Sequence, residues 1–274
     1  MNLSEPTWRG RRGFTLTELL VVVLVLFLLL IFALPFYDRP KPGQAVRCLN
    51  NLKQMNLAWI MYASDSEDMM VTNRPYAGSA ELPLDNWVAG VVDWTTNSQN
   101  TNQALLLAAA LSPYLKSAQV YRCPEDRSES AVGPRVRSYS MNGFLGNYGG
   151  KPNFPGWKSA LKLPYVSSPT STFLFAEEHA NSIDDGFFIN DPNRINAWMD
   201  LPAANHANGS AGFGFADGHS EIHKWTEAST RQAVKPSGPK PTVQLKQPDV
   251  GNDLAWVLKS MGAVSADAAS EPAK

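Results

Sequence analysis

Two cysteines and four histidines are the whole thiol and imidazole inventory of this 274-residue chain. The cysteines, Cys48 and Cys123, stand far apart, and no Cys-x-x-Cys pair is present to carry a zinc or thiol-redox motif. There is no His-Glu-x-x-His, no Gly-x-Ser-x-Gly and no phosphate loop ending in Gly-Lys-Ser/Thr. Metalloprotease, serine-hydrolase and nucleotide-hydrolysing chemistry therefore lack their usual sequence carriers. Net charge is nearly absent too: 24 basic against 25 acidic residues leave −1. Such a balance provides no basic field for nucleic acid. No internal repeat is visible, which excludes solenoids and propellers. Long apolar runs are scarce, with a single one at Leu19–Leu34, sixteen residues without a break.

That run is the informative segment. It follows Arg9, Arg11 and Arg12, then Gly13, Phe14 and a lone carboxylate, Glu18. A secretory signal peptide would have a shorter apolar core and a small-residue cleavage site. Here Pro35, Phe36 and Tyr37 occupy the place of that site. A membrane anchor fits better, since Phe14–Leu34 would span about 31 Å as a helix. The arginines place its amino terminus in the cytoplasm, although Arg39, Lys41 and Arg47 weaken the bias. An acid at the mouth of such a helix is costly in lipid, and neither reading accounts for it.

The run Arg-Arg-Gly-Phe-Thr-Leu-Thr-Glu-Leu-Leu, Arg11–Leu20, resembles the class III leader of type IV prepilins and type II secretion pseudopilins. The resemblance implies cleavage by a prepilin peptidase after Gly13 and methylation of the new amino terminus, Phe14. Glu18 then becomes the fifth mature residue, and Pro35 falls where many pilins carry a helix-kinking proline. Glu18 of one subunit can pair with the terminal ammonium of its neighbour, offsetting two desolvated charges and fixing the stagger of the subunits.

Removing residues 1–13 leaves 261, enough for the anchor and one modest domain. The expected fold class is α+β: a long amino-terminal transmembrane helix continuing into a head with a small antiparallel sheet and long loops. The expected boundaries are 1–13 for the leader, 14–37 for the transmembrane and assembly helix, 44–225 for the head, and 226–274 for a linker, short helix and disordered tail. Asp38–Gly43 reads as a hinge. Ala45, Leu49, Leu52, Met55, Trp59 and Tyr62 then recur at helical spacing, opposite a polar face of Arg47, Asn50, Lys53 and Asn56. Asn102–Leu115 reads as a helix capped by Asn102 or Thr101. Strands are expected at Asn86–Trp94, Gln119–Arg122, Val136–Asn142, Thr172–Ala176, Gly186–Ile189, Gly212–Ala216 and Ser220–Trp225. Lys235–Pro248 reads as a linker, Asp253–Met261 as a short helix and Ser265–Lys274 as a disordered tail.

Three head motifs carry a second resemblance: Cys48-Leu-Asn-Asn-Leu-Lys-Gln-Met, Tyr121-Arg-Cys-Pro-Glu-Asp, and His206 followed by Phe215-Ala-Asp-Gly-His219. The set is similar to the bacterial prepilin-like proteins with a carboxy-terminal His, nine-residue, Asp-Gly domain, although ten residues separate His206 from Asp217 here. Asp217-Gly218 between two strands suits a type I′ hairpin turn. Against that structural reading stands a metal or ligand site of His206, Asp217, His219 and His223. Cys48 and Cys123 could form a disulfide in an oxidising compartment, or remain as two partly buried thiols. Glu177, Glu178, His179, Asp184 and Asp185 read as a solvated acidic loop, with calcium the sharper alternative. Trp87, Trp94, Trp157 and Trp198 read as core residues rather than a sugar-stacking surface, and Gly212-Phe-Gly214 carries no recognisable motif.

Taken together, these features imply a structural subunit and no enzyme. It would be a pilin or pseudopilin, minor or specialised, of a type II secretion or type IV pilus-like assembly. Its expected partners are prepilin peptidase, other subunits and an inner-membrane assembly platform, with no nucleic acid. No cofactor is expected, with calcium or another divalent metal the weaker option. The expected location is the bacterial inner membrane, single-pass, amino terminus inside, with the head periplasmic or in an extracytoplasmic filament. The alternative is a membrane-anchored binding protein for polysaccharide or metal.

Overall fold

The structure, a computed structural model, describes residues 14–37, 43–75, 85–146, 154–241, 243, 245, 251–262 and 264–265, with the side chains of 30–37 and 264–265 left out. The chain divides into two compact units, Met1–Pro42 and Gly43–Lys274. Expectations for the leader 1–13, for Asp38–Pro42 and for 266–274 lie outside the described residues.

In the first unit, α1 (Leu16–Tyr37) is apolar on all faces and runs through Pro35. Every side chain from Phe14 to Leu29 is exposed. Among the described residues no helix is long and apolar enough to cross a membrane. The stretch of α1 with described side chains, 16–29, measures about 21 Å, against a hydrocarbon core of about 30 Å.

The second unit is α+β, built on α2 (Gln44–Asp65), α3 (Gln103–Ala108) and α4 (Asn252–Ser260). Its strands are β1 (Glu129–Ser130), β2 (Gly133–Pro134), β3 (Tyr139–Asn142), β4 (Trp157–Lys158), β5 (Phe173–Glu177), β6 (Phe187–Phe188), β7 (Ser210–Phe215), β8 (Ser220–Lys224) and β9 (Val264–Ser265). Five of them form the central sheet in the order β6-β3-β5-β7-β8. The expected antiparallel sheet is mixed, because edge strand β6 runs parallel to β3.

Strand β7 shows how this sheet becomes a middle layer. All six of its residues are buried, and period-two alternation sends them to different neighbours. Ala211, Phe213 and Phe215 join a cluster with Phe173, Trp225, Leu254, Val257 and Met261. Gly212 and Gly214 face α2. A Cβ on Gly214 would stand 2.4 Å from Asn56 Oδ1, and one on Gly212 would stand 2.8 Å from both Cys48 Sγ and Leu52 Cδ1. The paired glycines thus let α2 lie directly on the sheet. Asn56, expected on the polar face of α2, is fully buried there and donates to the His219 carbonyl at 2.9 Å.

The covering of the second face moves the head boundary beyond 225. Leu254, Val257 and Met261 of the α4 segment are fully buried against Phe213 and Trp225. The Thr226 and Glu227 amides donate to the Asp253 carboxylate. The expected linker is also tied down: Asn181 donates to the carbonyls of Lys235 and Gly238, Lys240 pairs with Asp200, and the Leu245 amide donates to the Asn196 carbonyl.

Two expected strands are absent. Asn86–Trp94 is loop, because its amides find partners outside a ladder. Trp87 donates to the Thr72 carbonyl, Val91 to Gln99 Oε1, Val92 to the Asp184 carbonyl and Asp93 to Asn100 Oδ1. Gln119–Arg122 falls in a 3-10 turn, Ala118–Tyr121, capped by the Ser117 side chain. The expected helix at Asn102–Leu115 splits into α3, capped by Asn102, and a 3-10 turn at Ser112–Tyr114 with Pro113 in its first turn.

Candidate metal centre and amino-terminal motif

Four segments converge on one buried cluster. Cys48 comes from the first turns of α2, Cys123 from the loop after the 3-10 turn, Glu177 from the end of β5, and His206 from the approach to β7. Their ligand atoms all lie within 4.8 Å of one another, and all four residues are buried. Among the described residues no other group of three or more His, Cys, Asp or Glu could hold a metal ion. Both cysteines are free thiols.

Each of the four is oriented by a neighbour. His206 Nε2 faces Glu177 Oε2 at 2.8 Å and Cys123 Sγ at 3.6 Å. Its Nδ1 faces Glu125 Oε1 at 2.8 Å, an ion-pair contact out of line for a hydrogen bond. Tyr139 donates its hydroxyl to Cys48 Sγ at 3.2 Å, and the Glu125 amide donates to Cys123 Sγ at 3.4 Å. The Gly212 amide donates to Glu177 Oε2 at 2.6 Å, while Glu177 Oε1 has no hydrogen-bond partner among the described residues.

The electrostatics follow from this crowding. Burial alone would lower the His206 pKa, but the contacts with Cys123 and the Glu177 carboxylate outweigh it and push the value up to about 11. The Cys123 thiol is raised by its hydrogen bond with Cys48 and by burial. At Cys48 the contact with Cys123 lowers the pKa, but burial and the Glu177 charge raise it further. Burial and these contacts thus favour the neutral form of both thiols and the charged form of His206.

The expected set of His206, Asp217, His219 and His223 is not assembled. Only His206 enters the cluster. Asp217 sits in the β7–β8 hairpin, accepting from the His219 amide at 3.1 Å and lying 2.5 Å from His219 Nδ1. That turn is not type I′, which needs two left-handed residues. Gly218 alone has positive φ (+95°), and its amide donates to the Phe215 carbonyl. The geometry is a type I turn followed by a left-handed glycine. His223 stacks on Trp256 with ring centroids 3.6 Å apart. The acidic loop is likewise not solvated, since Glu177, Glu178, His179 and Asp185 are buried while Asp184 is exposed. Trp87 and Trp198 are buried, leaving no sugar platform built from them.

No sequence spacing marks Glu177 or Glu125 as partners of the cysteines. The signal the sequence does carry is that Cys48, Cys123 and His206 each lie in one of the three head motifs.

At the amino terminus, Gly13 is outside the described residues, and Glu18 has a local role. The Thr15 amide and hydroxyl both donate to Glu18 Oε2 at 2.8 Å, and the Glu18 amide donates to Thr15 Oγ1 at 3.3 Å. This is a capping box, legible in the sequence as Thr15-x-x-Glu18.

Comparison with known proteins bears on this end of the chain. Residues 8–34 match the family model of the prokaryotic N-terminal methylation motif. No curated protein matches the chain, and no solved structure does.

Proposed function

We propose that the chain is a prepilin-type structural subunit whose function is assembly. Prepilin peptidase cuts after Gly13 and methylates Phe14, and the mature chain packs through α1 against other subunits on an inner-membrane platform. The setting is a type II secretion or type IV pilus-like system, with the chain as a minor or specialised subunit. The head faces the periplasm or the filament surface. The observation that carries this reading is the methylation-motif match at 8–34. The described side chains of α1, residues 16–29, are all exposed and nearly all apolar, which supports it, since such a surface needs lipid or sister helices around it.

In this reading Glu18 has two successive partners, Thr15 in the isolated chain and a neighbour's terminal ammonium in the assembly. Glu18→Gln separates them, because glutamine preserves a capping box but carries no charge. Expected is that Glu18→Gln and Glu18→Ala are both cleaved, and that neither enters the filament fraction after shear and sedimentation. Wild-type incorporation of Glu18→Gln would reduce Glu18 to a helix cap and refute the pairing.

A further inference from the structure

We propose that Cys48, Cys123, Glu177 and His206 form a structural site for a zinc-class divalent ion, which fastens α2 to the sheet. The donor set is the first reason. Two sulfurs and an imidazole select borderline-soft metals over calcium or magnesium, and a carboxylate completes four-coordination. Two thiolates and one carboxylate around a divalent ion leave the same net charge as a Cys3His site.

Spacing is the second reason. In a tetrahedral site with metal–sulfur bonds near 2.3 Å, sulfurs stand about 3.8 Å apart. The present donors, all within 4.8 Å of one another, need to close by about an ångström at most, within the reach of side-chain rotation.

The third reason is the surrounding shell. His206 turns Nε2 inward and sets Nδ1 2.8 Å from Glu125 Oε1, the spacing, though not yet the alignment, of the carboxylate–histidine pair that fixes a ligating imidazole. Each sulfur accepts one hydrogen bond, from Tyr139 or from the Glu125 amide, which suits thiolates. Glu177 holds one oxygen on the Gly212 amide and leaves the other buried without a partner. A buried carboxylate oxygen so placed is expensive unless something cationic completes it. A disulfide between Cys48 and Cys123 would leave that oxygen uncompleted.

An open groove of about 1090 Å³, lined by Arg47, Asn51, Arg122, Cys123 and Asp126, runs alongside the buried Cys123. Binding requires both sulfurs as thiolates and so releases the thiol protons to solvent.

The test uses the full chain in detergent, reduced with a phosphine, stripped by chelator and titrated with Zn²⁺ or Co²⁺. Expected are one ion per chain and thiolate-to-cobalt charge-transfer bands that zinc displaces. Cys48→Ser and Cys123→Ser should each abolish the bands, whereas Asp217→Ala and His219→Ala should leave them intact. Glu125→Gln should keep the stoichiometry but weaken affinity about 10- to 100-fold. If the cysteine variants fail to fold, the wild-type spectrum and Glu125→Gln still decide. The proposal is overturned if reduced wild type takes up no stoichiometric metal, if the bands survive loss of either cysteine, if they vanish with Asp217 or His219, or if Glu125→Gln binds as tightly as wild type.

Discussion

Replacing Gly212 by alanine probes a close contact between α2 and the sheet. The new methyl would stand 2.8 Å from Cys48 Sγ, 2.8 Å from Leu52 Cδ1 and 3.3 Å from Glu177 Oε2. All three neighbours are fully buried. Carbon–carbon contacts are optimal near 3.5–4.0 Å, so α2 must move away by roughly half an ångström or more. Overpacking of this kind costs about 1–3 kcal/mol. Reduced freedom of the unfolded chain returns about 0.4–1 kcal/mol. A net loss of about 1–2 kcal/mol remains, and for a domain of this size that lowers Tm by about 2–8 °C. Gly43→Ser is the matched control: its Cβ meets nothing within 4 Å, and α2 has no side-chain cap there. Serine should add a few tenths of a kcal/mol. The assay is thermal unfolding of the full chain in detergent, followed by circular dichroism. An unchanged or raised Tm for Gly212→Ala would refute the close packing of α2 on β7.

Two further outcomes test other parts of the head. Leu254→Ala empties a fully buried site on the far side of the sheet. It should cost about 2–5 kcal/mol in urea unfolding; a loss below about 0.5 kcal/mol would return the segment after 225 to the status of a tail. His223 has its pKa lowered, chiefly by burial against the opposing charges of Glu221 and Asp253. The unfolded chain then binds the proton more readily, so the contribution is fully present above about pH 6.5. Stability is lost as pH falls from there through the lower folded-state value. His223→Phe should flatten the fall in Tm between pH 7 and 5, and an unaltered acid slope would contradict this reading.

What was legible in the sequence was what local rules encode. The stripe of α2 gave Leu52, Met55 and Trp59 as core, and Asn102 gave the cap of α3. β3, β5, β6, β7 and β8 all fall within or beside their expected segments. The errors arose where a distant partner decided. Asn56 is polar yet buried, because β7 presents glycine to it. Asn86–Trp94 has strand-like residues, but the side-chain amides of Gln99 and Asn100 take its backbone donors. The metal-type cluster was hidden for the same reason: its four ligands come from separate segments, and motif spacing records only neighbours in sequence. Gly212 and Gly214 looked uninformative because their meaning is the helix lying against them.

Mass spectrometry of the mature protein from its native membrane decides whether the amino terminus is processed as proposed. The expected chain begins at Phe14 and carries one methyl group on its terminal nitrogen. A chain still beginning at Met1, or one cut beyond Pro35, would contradict it.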